Sequence, residues 1–266
     1  MPLWVIVAIL GIVEGITEFL PVSSTGHLLI AERWLHTHQT DLFNVVIQSG
    51  AVLAVLPLFP DRIRQFFFNF RERATQVYGG KILLAFVITG IGGFILEKKG
   101  FKLPEKLQPI AVALFLGGIA FLAVEAWLRG RTLQNEVTWA MAWCVGFGQL
   151  IAAAFPGTSR SGVTILLCLI LGLNRPAATE YCFLVGIPTM LAAGGWKVFK
   201  ALHHPPPGGV AEDWGMVVVG FVVSAIVSFI AVRWLLRYIQ THTFVIFGWY
   251  RIGLAASIAA MLFLGK

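Results

Sequence analysis

Two carboxylates, Glu14 and Glu18, stand four residues apart in an apolar stretch near the start of the sequence. On a helix they project from one face, a turn from each other. A carboxylate in lipid costs about 2.5–3.5 kcal/mol on insertion scales, and two together repel unless a cation or a proton mediates. One reading is a packing carboxyl paired with an arginine elsewhere; the other is a pair that binds a divalent metal or handles protons. Directly after them come Pro21, Ser23, Ser24, Thr25 and His27, the pattern of a helix break followed by a capped helix start. Free backbone N–H groups and hydroxyls at such a start suit an anion. Ser24 and His27 can share a helix face, so a hydroxyl nucleophile and an imidazole acid or base could meet one substrate. The plainer alternative makes the hydroxyls caps and His27 an interfacial residue.

A second cluster, Gly157-Thr158-Ser159-Arg160-Ser161-Gly162, follows Pro156, with Thr164 one turn beyond the arginine. A guanidinium offers a planar fork matched to phosphate oxygens. If Arg160 merely pairs with Glu14 or Glu18, the pairing still brings the two motifs together. Glu180 and Gln48 read as structural hydrogen-bonding residues, and His203 and His204 as solvated neighbours of a proline-rich loop. His36, His38 and His242 show no ligand spacing. Two carboxylates, a hydroxyl, an imidazole and a phosphate-gripping arginine are the parts of a phosphoryl-transfer site, which needs charge neutralisation, an aligned nucleophile and a proton donor for the leaving group.

The elements that must position these residues belong in lipid. Of 266 residues, 58% are hydrophobic and 12% charged, against roughly 25% charged in soluble domains. The net charge of +7 sits mostly in the joints between apolar runs, as in cytoplasmic loops of membrane proteins; nucleic acid is therefore a poor partner. Cys144, Cys168 and Cys182 lie within apolar segments and read as small hydrophobic residues. Met1 to Leu10 lacks a basic region or a cleavage site and reads as mature structure, not a cleaved signal. Apolar stretches fall near 3–20, 24–36, 42–59, 80–96, 107–128, 137–155, 160–172, 179–199, 214–236 and 244–264. Those at 24–36 and 160–172 are too short to cross a core of about 30 Å and follow a proline and hydroxyl residues. They read as halves of broken helix pairs. The expected fold is all-α: a polytopic membrane protein of about six transmembrane helices and two re-entrant pairs. Arg62, Arg64, Arg71, Arg73 and Lys81, then Arg129 and Arg131, then Arg233 and Arg237 fall on one side, assigned to the cytoplasm. Lys98, Lys99, Lys102 and Lys106, offset by Glu97 and Glu105, fall on the other.

The chain also repeats itself. An offset of 135 residues lays Pro21 on Pro156, Gly11 on Gly146 and Glu14 on Gln149, and the hydroxyl clusters match if one residue, Arg160, is inserted. A single transmembrane domain of two halves, roughly 1–135 and 136–266, is expected. With three spans between the broken pairs, the halves enter from opposite faces and their polar tips meet near the midplane.

Glu14-Gly15-Ile16-Thr17-Glu18-Phe19-Leu20-Pro21-Val22-Ser23-Ser24-Thr25-Gly26-His27 and Pro156-Gly157-Thr158-Ser159-Arg160-Ser161-Gly162 together resemble the bacterial undecaprenyl-diphosphate phosphatase family, the bacitracin-resistance membrane proteins. The likeness runs nearly end to end. Val45-Val46-Ile47-Gln48-Ser49-Gly50-Ala51 and Glu180-Tyr181-Cys182-Phe183-Leu184-Val185-Gly186-Ile187-Pro188 also look like that family. The resemblance implies hydrolysis of undecaprenyl diphosphate to the monophosphate carrier and phosphate, recycling the carrier for peptidoglycan synthesis at the outer face of the inner membrane and conferring bacitracin resistance. It implies a divalent cation, Mg2+ or Ca2+, and a polyprenyl diphosphate substrate among membrane lipids; a homodimer is left open. Glu14 and Glu18 correspond to the family's acidic pair, with metal binding assigned to both. Ser24 and His27 correspond to its hydroxyl and imidazole, either of which could be the nucleophile. Ser23, Thr25, Ser159, Arg160, Ser161 and Thr164 fall to phosphate binding. Asn44 stands where the family leads one to expect an acid and Cys182 where it leads one to expect serine, departures expected to touch only the periphery.

Two rival functions stand beside this one. Phosphatidic-acid phosphatases would need a histidine six residues after the arginine and an aspartate four beyond, where this sequence has Leu166 and Ile170. A transporter or flippase of a lipid phosphate would use the same broken helices and inverted repeat, but would have no need of two carboxylates beside the hydroxyl and imidazole.

Overall fold

A computed structural model describes residues 1–99, 106–203 and 213–264; Lys102, Pro104, Glu105, His204 and the loop at 205–209 lie outside them. Eleven α-helices are present among the described residues. The first pair is α1 (Leu3–Thr17) and α2 (Ser24–Trp34). It is followed by α3 (Asp41–Val55, prolonged by one 3-10 turn, Leu56–Leu58), α4 (Pro60–Phe68), α5 (Arg73–Lys98) and α6 (Leu107–Trp127). The second pair is α7 (Trp139–Ala154) and α8 (Arg160–Ile170), and α9 (Arg175–His203), α10 (Trp214–Tyr238) and α11 (Val245–Phe263) complete the chain. Six of these, α3, α5, α6, α9, α10 and α11, are long and apolar enough to cross a membrane. The chain is therefore a multi-pass membrane protein. Helices α1 and α7, at 15 and 16 residues, reach only about 22–24 Å at 1.5 Å per residue, short of a hydrocarbon core.

Each pair breaks where backbone donors are lost or redirected. Pro21 and Pro156 follow the ends of α1 and α7, and the chain resumes at an N-cap serine. Ser23 (φ 75°, ψ 92°) and Ser159 (φ 67°, ψ 113°) both adopt left-handed backbone and accept a hydrogen bond from the N–H of Gly26 and Gly162, respectively. The two devices are equivalent residue for residue. The structure thus corrects the expected register of the repeat. Ser23 matches Ser159 and Ser24 matches Arg160, so the extra residue falls in the Gly157-Thr158 turn and Arg160 is a replacement for Ser24, not an insertion. The physical reason is the cap: only the serine whose hydroxyl reaches the third N–H of the helix can occupy that position.

The repeat extends to packing. Helix α1 lies against α10 and α7 against α5, while α10 packs on α3 and α5 on α9; each half thus lends a helix to support the other half's broken pair. Close approach needs small residues. A Cβ on Gly15 would come within 2.7 Å of the Ser224 carbonyl and 2.9 Å of the Ser228 nitrogen, and one on Gly50 within 2.5 Å of the Phe221 carbonyl. The largest buried cluster gathers Phe19, Val22, Phe121, Met141, Ile165, Tyr181 and Phe183 among others, beneath both turns. Cys168 and Cys182 are buried there with thiols 3.8 Å apart, and Cys144 is partly exposed.

One element departs from the sequence expectation. Residues 60–68, expected as an arginine-rich loop, form α4, with Pro60 and Asp61 in its first turn. Proline needs no N–H there and the acid complements the helix N-terminus. Arg62 of α4 bonds Glu180 at 2.6 Å and lies 4.3 Å over the Tyr78 ring. That contact accounts for Glu180 as a structural partner. Buried Glu125 of α6 joins Arg175 and accepts from the Phe244 N–H at 2.8 Å, tying the ends of α6, α9 and α11.

Candidate active site

Both helix breaks open onto one cavity of about 840 Å³, lined among others by Glu18, Ser23, Ser24, Thr25, Thr89, Gln149, Gly157, Ser159 and Arg160. At its centre is Glu18, at the C-terminal end of α1 and buried. The Ser24 hydroxyl donates to Glu18 Oε2 at 2.5 Å, and the Arg160 guanidinium bonds Glu18 Oε1. One carboxylate thus receives the first residue of α2 with one oxygen and the first residue of α8 with the other. A hydroxyl bonded to a carboxylate can act as a nucleophile beside its base, and a partly buried arginine at a helix start can grip an anion.

Of the other residues singled out in the sequence, Thr25 lines the cavity wall, and Ser23 and Ser159 reach it while capping their helices. Glu14 is fully buried one turn before Glu18, and neither of its carboxylate oxygens has a protein partner. Among the described residues no group of three or more His, Cys, Asp or Glu is arranged to hold a metal.

Three further residues stand apart from the wall of that cavity. Thr164 is buried and its hydroxyl donates to the Arg160 carbonyl at 2.8 Å, the back-bond typical of threonine inside a helix. Its single hydrogen is therefore spent on its own helix. Ser161 donates to the Leu20 carbonyl at 3.2 Å, stitching the second helix start to the first turn, and is absent from the cavity wall. His27 does not share the cavity with Ser24. Its ring sits between the Ser23 carbonyl (Nδ1, 2.7 Å) and the Tyr250 hydroxyl (Nε2, 2.7 Å), and stacks on the tyrosine at 5.7 Å. A carbonyl only accepts, so Nδ1 carries a hydrogen. Three residues along a helix turn a side chain by about 60°, enough to carry His27 from the cavity toward α11.

Arg251 escaped the sequence reading. It is fully buried, lies within apolar α11, and donates to five backbone carbonyls: Pro21 at 3.2 Å, Gly157 at 3.2 Å, Thr158 at 3.0 Å, Ala113 at 3.2 Å and Leu114 at 3.4 Å. Both turns hang on this one side chain. Its only sequence signal is a charge inside a long apolar run, and Leu116 occupies its position in the other half. The peripheral departures also lie closer than expected. Asn44 is on the cavity wall, and Cys182 shares with Ser161 and Thr164 a small crevice beside Glu18 and Arg160.

Known proteins match this chain along nearly its whole length. The sequence profile of the family described as Bacitracin resistance protein BacA covers residues 7–257. An undecaprenyl-diphosphatase of Rhizobium etli (strain CFN 42) is 49% identical over 255 residues, which is 96% of this chain and 95% of the relative. One of Rhizobium leguminosarum bv. trifolii is 48% identical over 257 residues, and one of Xanthomonas axonopodis pv. citri 45% over 255, each again covering 96% of this chain and 95% of the relative. With both motifs joined at Glu18 and relatives of this identity at full length, the chain belongs to the BacA bacitracin-resistance family.

Proposed function

We propose that the chain hydrolyses undecaprenyl diphosphate, the activity for which its relatives are named, with Ser24 as nucleophile, Glu18 as proton carrier and Arg160 as phosphate grip. The observation that carries this is the double engagement of Glu18, by the Ser24 hydroxyl at 2.5 Å and by Arg160. An arriving diphosphate competes with the carboxylate for the guanidinium. Arg160 turns its fork to the terminal phosphate, and Glu18 is left paired with Ser24. Oγ then attacks the terminal phosphorus, its proton passes to Glu18, and the bridging P–O bond breaks. Glu18 returns the proton to the bridging oxygen as undecaprenyl phosphate leaves. Water then cleaves the phosphoserine, releasing phosphate and restoring Ser24. His27, bonded to the carbonyl of strained Ser23, holds the first helix start in place instead of attacking.

A divalent cation, Mg2+ or Ca2+, suits the partnerless oxygens of Glu14 in donor type, but two carboxylates fill only part of a shell. Glu14 and Glu18 would hold it together with substrate oxygens and water, and it would neutralise charge on the diphosphate.

The single domain is read as an inverted repeat, with α3, α5 and α6 as the three crossings between the re-entrant pairs. The arginine-rich joints after α3, α6 and α10 then face the cytoplasm of a bacterial inner membrane. The cavity, whose rim includes His38, Gln39, Asp41 and Lys197, opens to the periplasm, where the recycled carrier serves peptidoglycan synthesis. Transport of a lipid phosphate would use Arg160 but has no need of the Ser24–Glu18 pair.

Phosphate release from undecaprenyl diphosphate by detergent-purified protein with Mg2+ or Ca2+ tests the assignment. Ser24→Ala is expected to fall to background and Glu18→Gln by about 10²–10⁴-fold. Arg160→Lys, which keeps the charge and loses the fork, is expected to fall by about 10². A well-folded Ser24→Ala variant with undiminished turnover would remove Ser24 as nucleophile.

A further inference from the structure

The 135-residue offset places Gln149 of α7 where α1 has Glu14, and Thr89 of α5 where α10 has Ser224. The two interfaces agree in detail: a Cβ on Gly146 would meet Ile88, and one on Gly11 would meet Val223, the residue 135 further on. In the second pair the polar seat is a bonded amide and hydroxyl, with Gln149 Nε2 and Thr89 Oγ1 3.0 Å apart. Both residues line the cavity that holds Ser24, Glu18 and Arg160.

The hydrogen bonds around Thr89 fix the amide's direction. The threonine hydroxyl lies 2.8 Å from the Ala85 carbonyl and 3.2 Å from the Gly146 carbonyl. Carbonyls only accept, so the one hydroxyl hydrogen goes to them and Thr89 can offer Gln149 only lone pairs. The amide must therefore present its NH₂ to Thr89, which turns its carbonyl oxygen away. That oxygen, Oε1, is itself buried and has no protein partner, in a residue only 3% exposed. An acceptor so placed repels phosphate oxygens, themselves acceptors, and takes a donor instead.

We infer that Gln149 positions the hydrolytic water, a role that rests on the Ser24 reading above. One O–H of the water points to Gln149 Oε1 and stays with the phosphate. The other passes its proton to Glu18 as the water oxygen attacks phosphorus. The P–Oγ bond breaks, Ser24 Oγ takes a proton back from Glu18, and inorganic phosphate leaves. Thr89 touches neither water nor substrate; it is a positioning residue that keeps the amide from flipping.

The test uses undecaprenyl diphosphate labelled in its terminal phosphorus, quenched during turnover, with label counted on the purified full-length protein. Gln149→Met, which keeps volume, and Gln149→Ala are both expected to lower kcat about tenfold with KM within about twofold, and to raise the fraction of labelled protein. Thr89→Val should move both quantities the same way by less, and Thr89→Ser should restore wild-type values. Unchanged kcat in Gln149→Met would overturn the inference. So would slow turnover without extra label when wild type itself traps labelled Ser24. No label in any variant, with kcat still reduced at constant KM, would instead overturn Ser24 as nucleophile and leave Gln149 holding a water that attacks the diphosphate directly.

Discussion

Side chains of the same kind do different work here according to what they touch. The Ser24 hydroxyl meets a carboxylate, whereas the Thr164 hydroxyl meets only its own helix. Thr164→Val is therefore expected to retain turnover within about twofold, since no hydrogen bond outside the helix is lost; a phosphate-release assay beside Ser24→Ala separates the two. Arg251→Met should lower the unfolding free energy by about 3 kcal/mol or more, because buried carbonyls in both turns lose their donor. The thermal midpoint in detergent measures it, and turnover should fall with it as the turns drift. The acidic pair and the Arg160 loop could be seen in the sequence because charges in apolar runs stand out and recur beside proline and hydroxyls. Arg251 is just as conspicuous a charge, but it has no motif around it and no counterpart in the other half. Its partners are backbone carbonyls, which no residue type announces. The placement of His27 was hidden for a related reason: spacing along α2 permits two faces, and only Tyr250, 223 positions away, decides between them.

Helix contacts are where glycine matters. Gly15→Ala presses a methyl group onto the backbone of α10, and overpacking of this kind costs about 1–3 kcal/mol. Gly93→Ala in α5 meets nothing within 4 Å and should gain up to about 1 kcal/mol from helix propensity. Thermal midpoints of the two variants are expected to move in opposite directions. Most elements could be read from apolar length and from proline, and the two short runs were legible as broken pairs because each follows a proline and hydroxyls. Helix α4 was not legible, since four phenylalanines and arginines within and just beyond nine residues give neither a long apolar run nor a loop composition. It is the Arg62–Glu180 contact with α9 that gives it a place. The register of the second turn was also out of reach, because sequence alignment cannot tell which serine caps.

At the scale of the whole molecule, the ion pairs sort to the two ends of the spans. Lys197 meets Asp41 and Lys200 meets Glu97 on the side of the cavity rim, while Arg62–Glu180 and Arg175–Glu125 lie at the opposite ends of the spans. A cysteine at exposed Asp41 is thus expected to react with a membrane-impermeant thiol reagent in intact cells, and one at Arg129 only after permeabilisation. The reverse labelling would place the cavity on the cytoplasmic side. The matching of α1 on α10 with α7 on α5 could not be read in the sequence, since it is a property of contacts. Arg251 adds a dimension of time to this architecture. It lies 230 residues after Pro21 and 94 after Gly157, so during synthesis, which runs from the N-terminus, both turns leave the ribosome long before the side chain that gathers them. Every motif of the phosphatase can thus be present in a nascent chain whose two turns still lack the donor that joins them.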